Sequence, residues 1–147
     1  MSANSFDWKV PALERNSTRC LLKIIGYDVS GQKIGADISD SKFTIEVSKL
    51  TSLNGGQTLT ASTSTTITWT THSTVRPVAS VKLKYTVNGG RTWKLMDTVS
   101  GNPGSYSWQL PAVPKMKSKC RVAVILKDAD GKTVGTDGSD AYFTIQP

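Results

Sequence analysis

A chain of 147 residues carrying 18 basic and 11 acidic side chains is long enough for one ordinary hydrophobic core. No apolar run reaches the ~18 residues that a membrane span needs. The net charge of +7 is compatible with an acidic glycan, phosphate or nucleic-acid partner, and equally with plain solubility.

Thr, Ser, Gly and Val dominate and helix-forming runs are few, a composition that suggests many short strands and turns. Shifting the sequence by 100 positions lays residues 5–46 on residues 105–146 without a gap, and fifteen of the forty-two positions are identical. Trp8, Pro11, Cys20, Asp28, Gly31, Asp37, Asp40, Phe43 and Ile45 are among them, and Val10/Leu110, Leu22/Val122, Ile24/Val124 and Ile34/Val134 exchange like for like. An ungapped repeat of this length marks a modular array. The chain therefore divides into a back half, residues 1–47, and a complete repeat, residues 48–147, itself a front half (48–100) and a second back half (101–147). Residues 1–47 balance six basic against six acidic side chains, whereas the front half holds six basic side chains and only Asp97.

In chain order, Met1 to Asn4 show neither the charged start nor the apolar stretch of a signal peptide. Because Met1 falls within a repeat, an export signal is expected ahead of it. Phe6, Trp8 and Val10 alternate as on a strand that Pro11 ends. Cys20, Leu22 and Ile24 share one face of the next strand. Asp28 to Gly31 form a turn with an Asx-type start, and Phe43 to Val47 form a last strand. Ser48 to Thr60 link into the next module and include its first strand. Thr65–Thr71 and Val81–Val87 alternate cleanly, with Ile67, Trp69, Leu83 and Tyr85 inward. Asn88-Gly89-Gly90 and Gly101 to Gly104 are turns, and Tyr106, Trp108 and Leu110 open the second back half. Turn signals about 8–12 residues apart have the rhythm of a β-sandwich. The fold class is all-β.

The succession Asn54 to Leu59, Thr66 to Thr70, Val81 to Tyr85, Gly104 to Trp108 and Ser139 to Ile145 resembles the immunoglobulin-like or fibronectin-III-like sandwich repeats of large secreted bacterial surface proteins, related to a fungal cell-wall-assembly domain. The resemblance covers 48–147, and its back half covers 1–47. It rests on core and turn residues, and Leu53 to Leu59 lack a tryptophan that the family often carries there. It implies an extracellular or cell-surface location and neighbouring repeats as partners.

Thr86, Asn88, Gly90, Thr92 and Trp93 resemble an Asp-box with Asn in place of Asp. Such a hairpin satisfies its own turn amides, with the tryptophan packed under the loop, and points to a structural role. Asp128 and Asp130 beside Gly131 hint at a calcium loop. The repeat counterpart Asp28-Val29-Ser30-Gly31 is one carboxylate short, so a hairpin turn is the better account and no metal or other cofactor is expected. Asp37/Asp137 and Asp40/Asp140 read as Asx-type caps of the turn before the last strand. Cys20 and Cys120 sit at one repeat position among core residues, which points to two buried thiols without a disulfide. His72 is the only histidine and lies among Ser and Thr without a base or orienting partner, so no catalytic set is present.

Lys82 and Lys84 point outward on one strand, and Lys117, Lys119 and Arg121 on another. If these strands are neighbours, five charges share one sheet face able to attract an acidic polysaccharide. The scarcity of interleaved aromatic residues argues against nucleic acid. Three functions follow: a non-catalytic structural or adhesive module, an acidic-polysaccharide binder, and a self-assembling module. The last arises because 1–47 carries Phe6, Trp8, Val10, Leu22, Ile24, Ile34, Phe43 and Ile45 as an apolar face without a front half. That face is expected to be buried between chains as a homo-oligomer, or to displace 101–147 from the front half.

Overall fold

The computed structural model describes residues 5–147; Met1 to Asn4, where the chain start falls, lie outside the described residues. Among the described residues there are thirteen strands and no helix. Four strands belong to the first back half: β1 (Ser17–Cys20), β2 (Lys23–Tyr27), β3 (Lys33–Ile38) and β4 (Phe43–Ile45). The next five are β5 (Ser48–Leu50), β6 (Thr58–Thr60), β7 (Ser64–Thr71), β8 (Ser80–Thr86) and β9 (Lys94–Ser100). The second back half adds β10 (Ser105–Gln109), β11 (Lys117–Lys127), β12 (Thr133–Gly138) and β13 (Phe143–Gln146).

Period-two alternation gives β7, β8 and β11 one apolar face each, and the fold buries all three faces together. β7 lies between β10 and β5 in an antiparallel three-stranded sheet. The facing sheet runs β9, β8, β11, β13, β6, with β13 pairing the start of β11, β12 pairing its end, and β6 parallel to β13. This is the strand arrangement of an immunoglobulin- or fibronectin-III-like sandwich. Between the sheets Leu50, Ile67, Trp69, Trp108 and Leu110 meet Val81, Leu83, Cys120, Val122, Val124, Leu126, Val134, Phe143 and Ile145. Trp108 sits against Tyr85 at 5.1 Å and edge-on to Phe143 at 6.4 Å between ring centroids, both within the range of favourable aromatic pairing. The Trp69 indole N–H donates to Asn102 Oδ1 at 2.8 Å, so the buried ring carries no unpaired donor.

The first back half repeats the hairpins of the second in the same register. Ser17 opposes Ile45 and Cys20 opposes Phe43, as Lys117 opposes Ile145 and Cys120 opposes Phe143. Lys23 opposes Ile38 as Ala123 opposes Gly138. The turns match as well: Gly31 (φ 83°) and Gly131 (φ 75°) each donate to the Asp carbonyl three residues back at 3.0 Å, in a left-handed conformation that suits glycine. Trp8 meets Phe43 edge-on at 6.2 Å, much as Trp108 meets Phe143.

Burial separates the two copies. Ile24 and Ile34 are 67% and 71% exposed where Val124 and Val134 are 0%, and Trp8 is 44% exposed where Trp108 is 4%. Two expectations are corrected by this difference. Residues 5–10 form no strand, because their counterpart β10 is held by β7 and 1–47 contains no β7 equivalent. Cys20 is only half-buried, whereas Cys120 is fully buried, because nothing lies over the first thiol. Absence of a β8 equivalent also divides β1 from β2, where β11 runs unbroken along β8.

Replacing Trp69 by Ala removes a large buried side chain and strands Asn102. The expected cost is about 3–5 kcal/mol by urea denaturation, and a value below about 1 kcal/mol would place Trp69 outside the core.

Candidate functional site

The hairpin after β8 is closed by its own polar side chains. Thr86, fully buried, donates its hydroxyl to Asn88 Oδ1 at 2.8 Å and accepts the Gly90 N–H at 3.1 Å. Asn88 Oδ1 also accepts the Thr92 N–H at 3.0 Å, while its amide donates to Thr92 Oγ1 at 2.8 Å. Gly89 and Gly90 have positive φ values of 75° and 93°. Trp93 stays against the loop, its Nε1 3.6 Å from where a Gly90 Cβ would stand, yet the residue is 39% exposed. It lines an open cleft of about 330 Å³ with Arg121, Ala123, Thr136 and Gly138.

That cleft lies on the sheet face that carries the basic residues. β8 and β11 are antiparallel neighbours, with Lys82 opposite Ile125, Lys84 opposite Ala123 and Thr86 opposite Arg121. Lys119 bridges to Asn88 in the hairpin, whereas a bulge between Lys117 and Cys120 sets Lys117 opposite the buried Ile145, so Lys117 does not share the outward face expected of it. Among the described residues none of Lys82, Lys84, Lys117, Lys119 and Arg121 enters an ion pair. Measured along β11, the positions from Lys119 to Ile125 span roughly 20 Å at about 3.3 Å per residue. The charges form a band rather than one cluster. Arg121 is the most constrained of them: its guanidinium stacks 4.6 Å from the Tyr142 ring centre and donates to the Asp140 carbonyl at 3.3 Å. Its Nε is buried without a partner.

Asp128 is held by its own turn and by the front half. Oδ1 accepts the Asp130 and Lys132 N–H groups at 3.1 and 2.8 Å, and Oδ2 accepts Arg76 Nε at 2.6 Å. Burial by itself raises the Asp128 pKa. The Arg76 and Lys132 hydrogen bonds, with the guanidinium charge, outweigh that and hold it below the usual carboxylate value. A calcium ion at Asp128 and Asp130 would have to displace Arg76. No group of three His, Cys, Asp or Glu is placed to hold a metal among the described residues. Asp137 also differs from the Asx cap expected of it: its Oδ2 accepts the Leu50 N–H of β5 at 2.6 Å. Burial keeps its pKa above the ordinary value despite that bond. Ser139 likewise bonds across to β11 rather than within the turn: its Oγ accepts the Val122 N–H at 3.0 Å, as Ser39 does for Leu22.

Arg76 does more than anchor Asp128. Its Nη1 donates to Glu14 Oε1 at 3.2 Å, so one side chain links the two copies. Asn16 clamps the same joint: Oδ1 accepts the Val47 and Ser48 N–H groups at 2.7 and 3.1 Å, and Nδ2 donates to the Ser48 carbonyl at 2.7 Å. A bridge between Leu13 and Thr74 adds a backbone contact. His72 Nε2 stands 3.9 Å from Glu46 Oε2, beyond hydrogen-bond reach. Neither Arg76 nor Asn16 stood out in the sequence. For Asn16 the signal was a break in the repeat, since Glu14 and Asn16 correspond to Pro114 and Met116; Arg76 lies outside the repeated stretch.

No protein-family profile matches the chain, and no curated protein does. Among solved structures, the fibronectin(III)-like modules of CbhA from Clostridium thermocellum are similar, with a TM-score of 0.46 and 19% identity over 67% of this chain and 96% of that one. At that level the strand order above, rather than the likeness, defines the fold.

Asp128→Asn is expected to lower the urea midpoint at pH 7. The lowered native pKa of Asp128 means that its ionised form adds stability above the ordinary carboxylate pKa of about 3.9, and that this is lost as pH falls through the native value. The gap between variant and parent should therefore close on acidification. A gap independent of pH would show that the ionised carboxylate contributes nothing.

Proposed function

We propose that this chain is a non-catalytic structural module of an extracellular, repeat-built surface protein, in which successive β-sandwiches meet at a rigid joint. The observation that supports this most is the joint itself. Asn16 engages three backbone groups of Val47 and Ser48, and Arg76 reaches Glu14 on one side and Asp128 on the other. A flexible linker has no use for a side chain that fixes its backbone, whereas a spacer that transmits position along an array does. The location outside the cell is supported by the Ser-, Thr- and Gly-rich β-repeat pattern. No helix among the described residues is long and apolar enough to cross a membrane.

A second function has its own support. Lys82, Lys84 and Lys119 lie outside any ion pair among the described residues, on the face that also carries the Trp93–Arg121 cleft. A band of unpaired cations beside an exposed indole suits an extended acidic polysaccharide, which offers repeated anionic groups and sugar faces.

Two measurements check these readings. Asn16→Ala should speed hydrogen exchange at Val47 and Ser48 by about tenfold or more while the β7–β11 core keeps its protection. An unchanged rate would remove the main support for a rigid joint. For the basic band, Lys82→Glu, Lys84→Glu and Lys119→Glu together should abolish retention on heparin that weakens steeply with salt. Co-elution of the triple variant with the parent would leave the band a solvated face.

A further inference from the structure

The exposed face of 1–47 has a counterpart within the same chain whose covering is known. In 48–147, the residues equivalent to Leu22, Ile24, Ile34 and Phe43 are Val122, Val124, Val134 and Phe143, all buried under the front half. The register within each hairpin is the same in both copies, so the first copy presents those side chains without a front half over them. An open cleft of about 560 Å³ is lined by Trp8, Val10, Phe43 and Ile45 together with His72 and Ser73, and in the complete module Tyr85 packs on Trp108, the equivalent of Trp8.

Polar groups repeat the pattern. Asp128 binds its own turn through Oδ1 and Arg76 of the front half through Oδ2. Asp28 binds its turn in the same way, accepting Ser30 and Gln32 N–H groups through Oδ1 at 2.9 Å, and its Oδ2 accepts nothing among the described residues. Asp137 accepts the Leu50 N–H, and Asp37 has no such donor among the described residues. Two carboxylates thus stand ready for two specific donors of a front half. The front half is the cationic part of the chain, six basic side chains against one acidic, while 1–47 is neutral.

We infer that this face is a docking surface for a further front half of the 48–100 type, carrying the equivalents of Ile67, Trp69, Leu83, Tyr85, Leu50 N–H and Arg76. The chain's own front half is ruled out because 101–147 fills it. It is ruled out by reach as well. Gln146 ends beside Thr60 whereas Ser48 starts beside Thr71, so a back half docked there must end about 23 Å from Ser48, the seven steps along the eight residues of β7. Val47 and Ser48 are adjacent in the chain. A second copy of the same face supplies apolar side chains but neither donor, and opposes carboxylates to carboxylates. This surface goes beyond the spacer function and does not depend on it.

Cys20 reports on the surface, with Cys120 as internal reference. An extended chain with a second copy of residues 48–100 ahead of Met1 restores the order front half, back half, front half, back half, and adds no cysteine. Native-state alkylation of both thiols is followed by mass spectrometry, in dilute solution with the mass of each chain checked. In 1–147 Cys20 should label faster than Cys120. In the extended chain its rate should fall by about tenfold or more, as a thiol that must wait for local opening. Ile67→Asp with Leu83→Asp in the added copy alone should restore fast labelling. An unchanged Cys20 rate in the extended chain overturns the inference, as does equal slowing by the disrupted copy. Slow labelling of Cys20 in 1–147 accompanied by a dimeric mass also overturns it, in favour of self-association.

Discussion

The structure depends on one constraint: a half-apolar sheet must have its apolar face covered by another sheet. Each Val, Leu, Ile or Phe side chain taken fully out of water contributes about 1.5–3 kcal/mol, and the complete module collects this at Ile67, Leu83, Val122, Val124, Val134 and Phe143. The same hairpins occur in 1–47 without that return. Their backbone ladders and Asx-type turns form in both copies, so local hydrogen bonding shapes the hairpin and inter-sheet burial decides how much of it persists. The strand equivalent to β10 is lost in 1–47 because its whole ladder lies in the other sheet.

Polar contacts refine that burial. Asp137 reaching the Leu50 N–H and Asp128 reaching Arg76 tie the back half to the front half at two points. They are directional, whereas apolar contact is not, and so they help to set the register of one sheet on the other. Arg76 also touches Glu14, so one side chain contacts both the second back half and residues 1–47. The Glu14 contact is largely exposed and adds little stability by itself. Its value is geometric, together with the three hydrogen bonds of Asn16.

The outer face of the β8–β11 sheet is chemically distinct from the joint. Cationic side chains line a strand path there, Arg121 is braced by Tyr142, and Trp93 projects beside it. The hairpin that carries Trp93 is rigid for reasons internal to it: a buried Thr86 hydroxyl and the Asn88 amide satisfy the turn from within. A rigid loop that leaves its aromatic ring half in solvent presents a fixed surface at low entropic cost.

Much of this was legible in the residues alone. Alternation marked β7, β8 and β11, because a strand half-buried on one side must have period two. The 100-residue repeat marked equivalent positions, and the turn chemistry of Asp28 and Asp128, Gly31 and Gly131 followed from short-range geometry. The adjacency of the strands bearing Lys82 and Lys84 and those bearing Lys119 and Arg121 followed from the order of strands in such a sandwich. Tertiary structure alone decided matters that involve residues far apart in sequence. It exposed Cys20 and Ile24 while burying Cys120 and Val124, since the repeat is silent on which copy finds a cover. It took Asp137 from a turn cap to an inter-sheet acceptor, brought Trp93 out beside Arg121, and gave Asn16 and Arg76 their places at the joint. Each of these depends on a partner tens of residues away, and no local pattern encodes the distance between two side chains that meet only after the chain has folded.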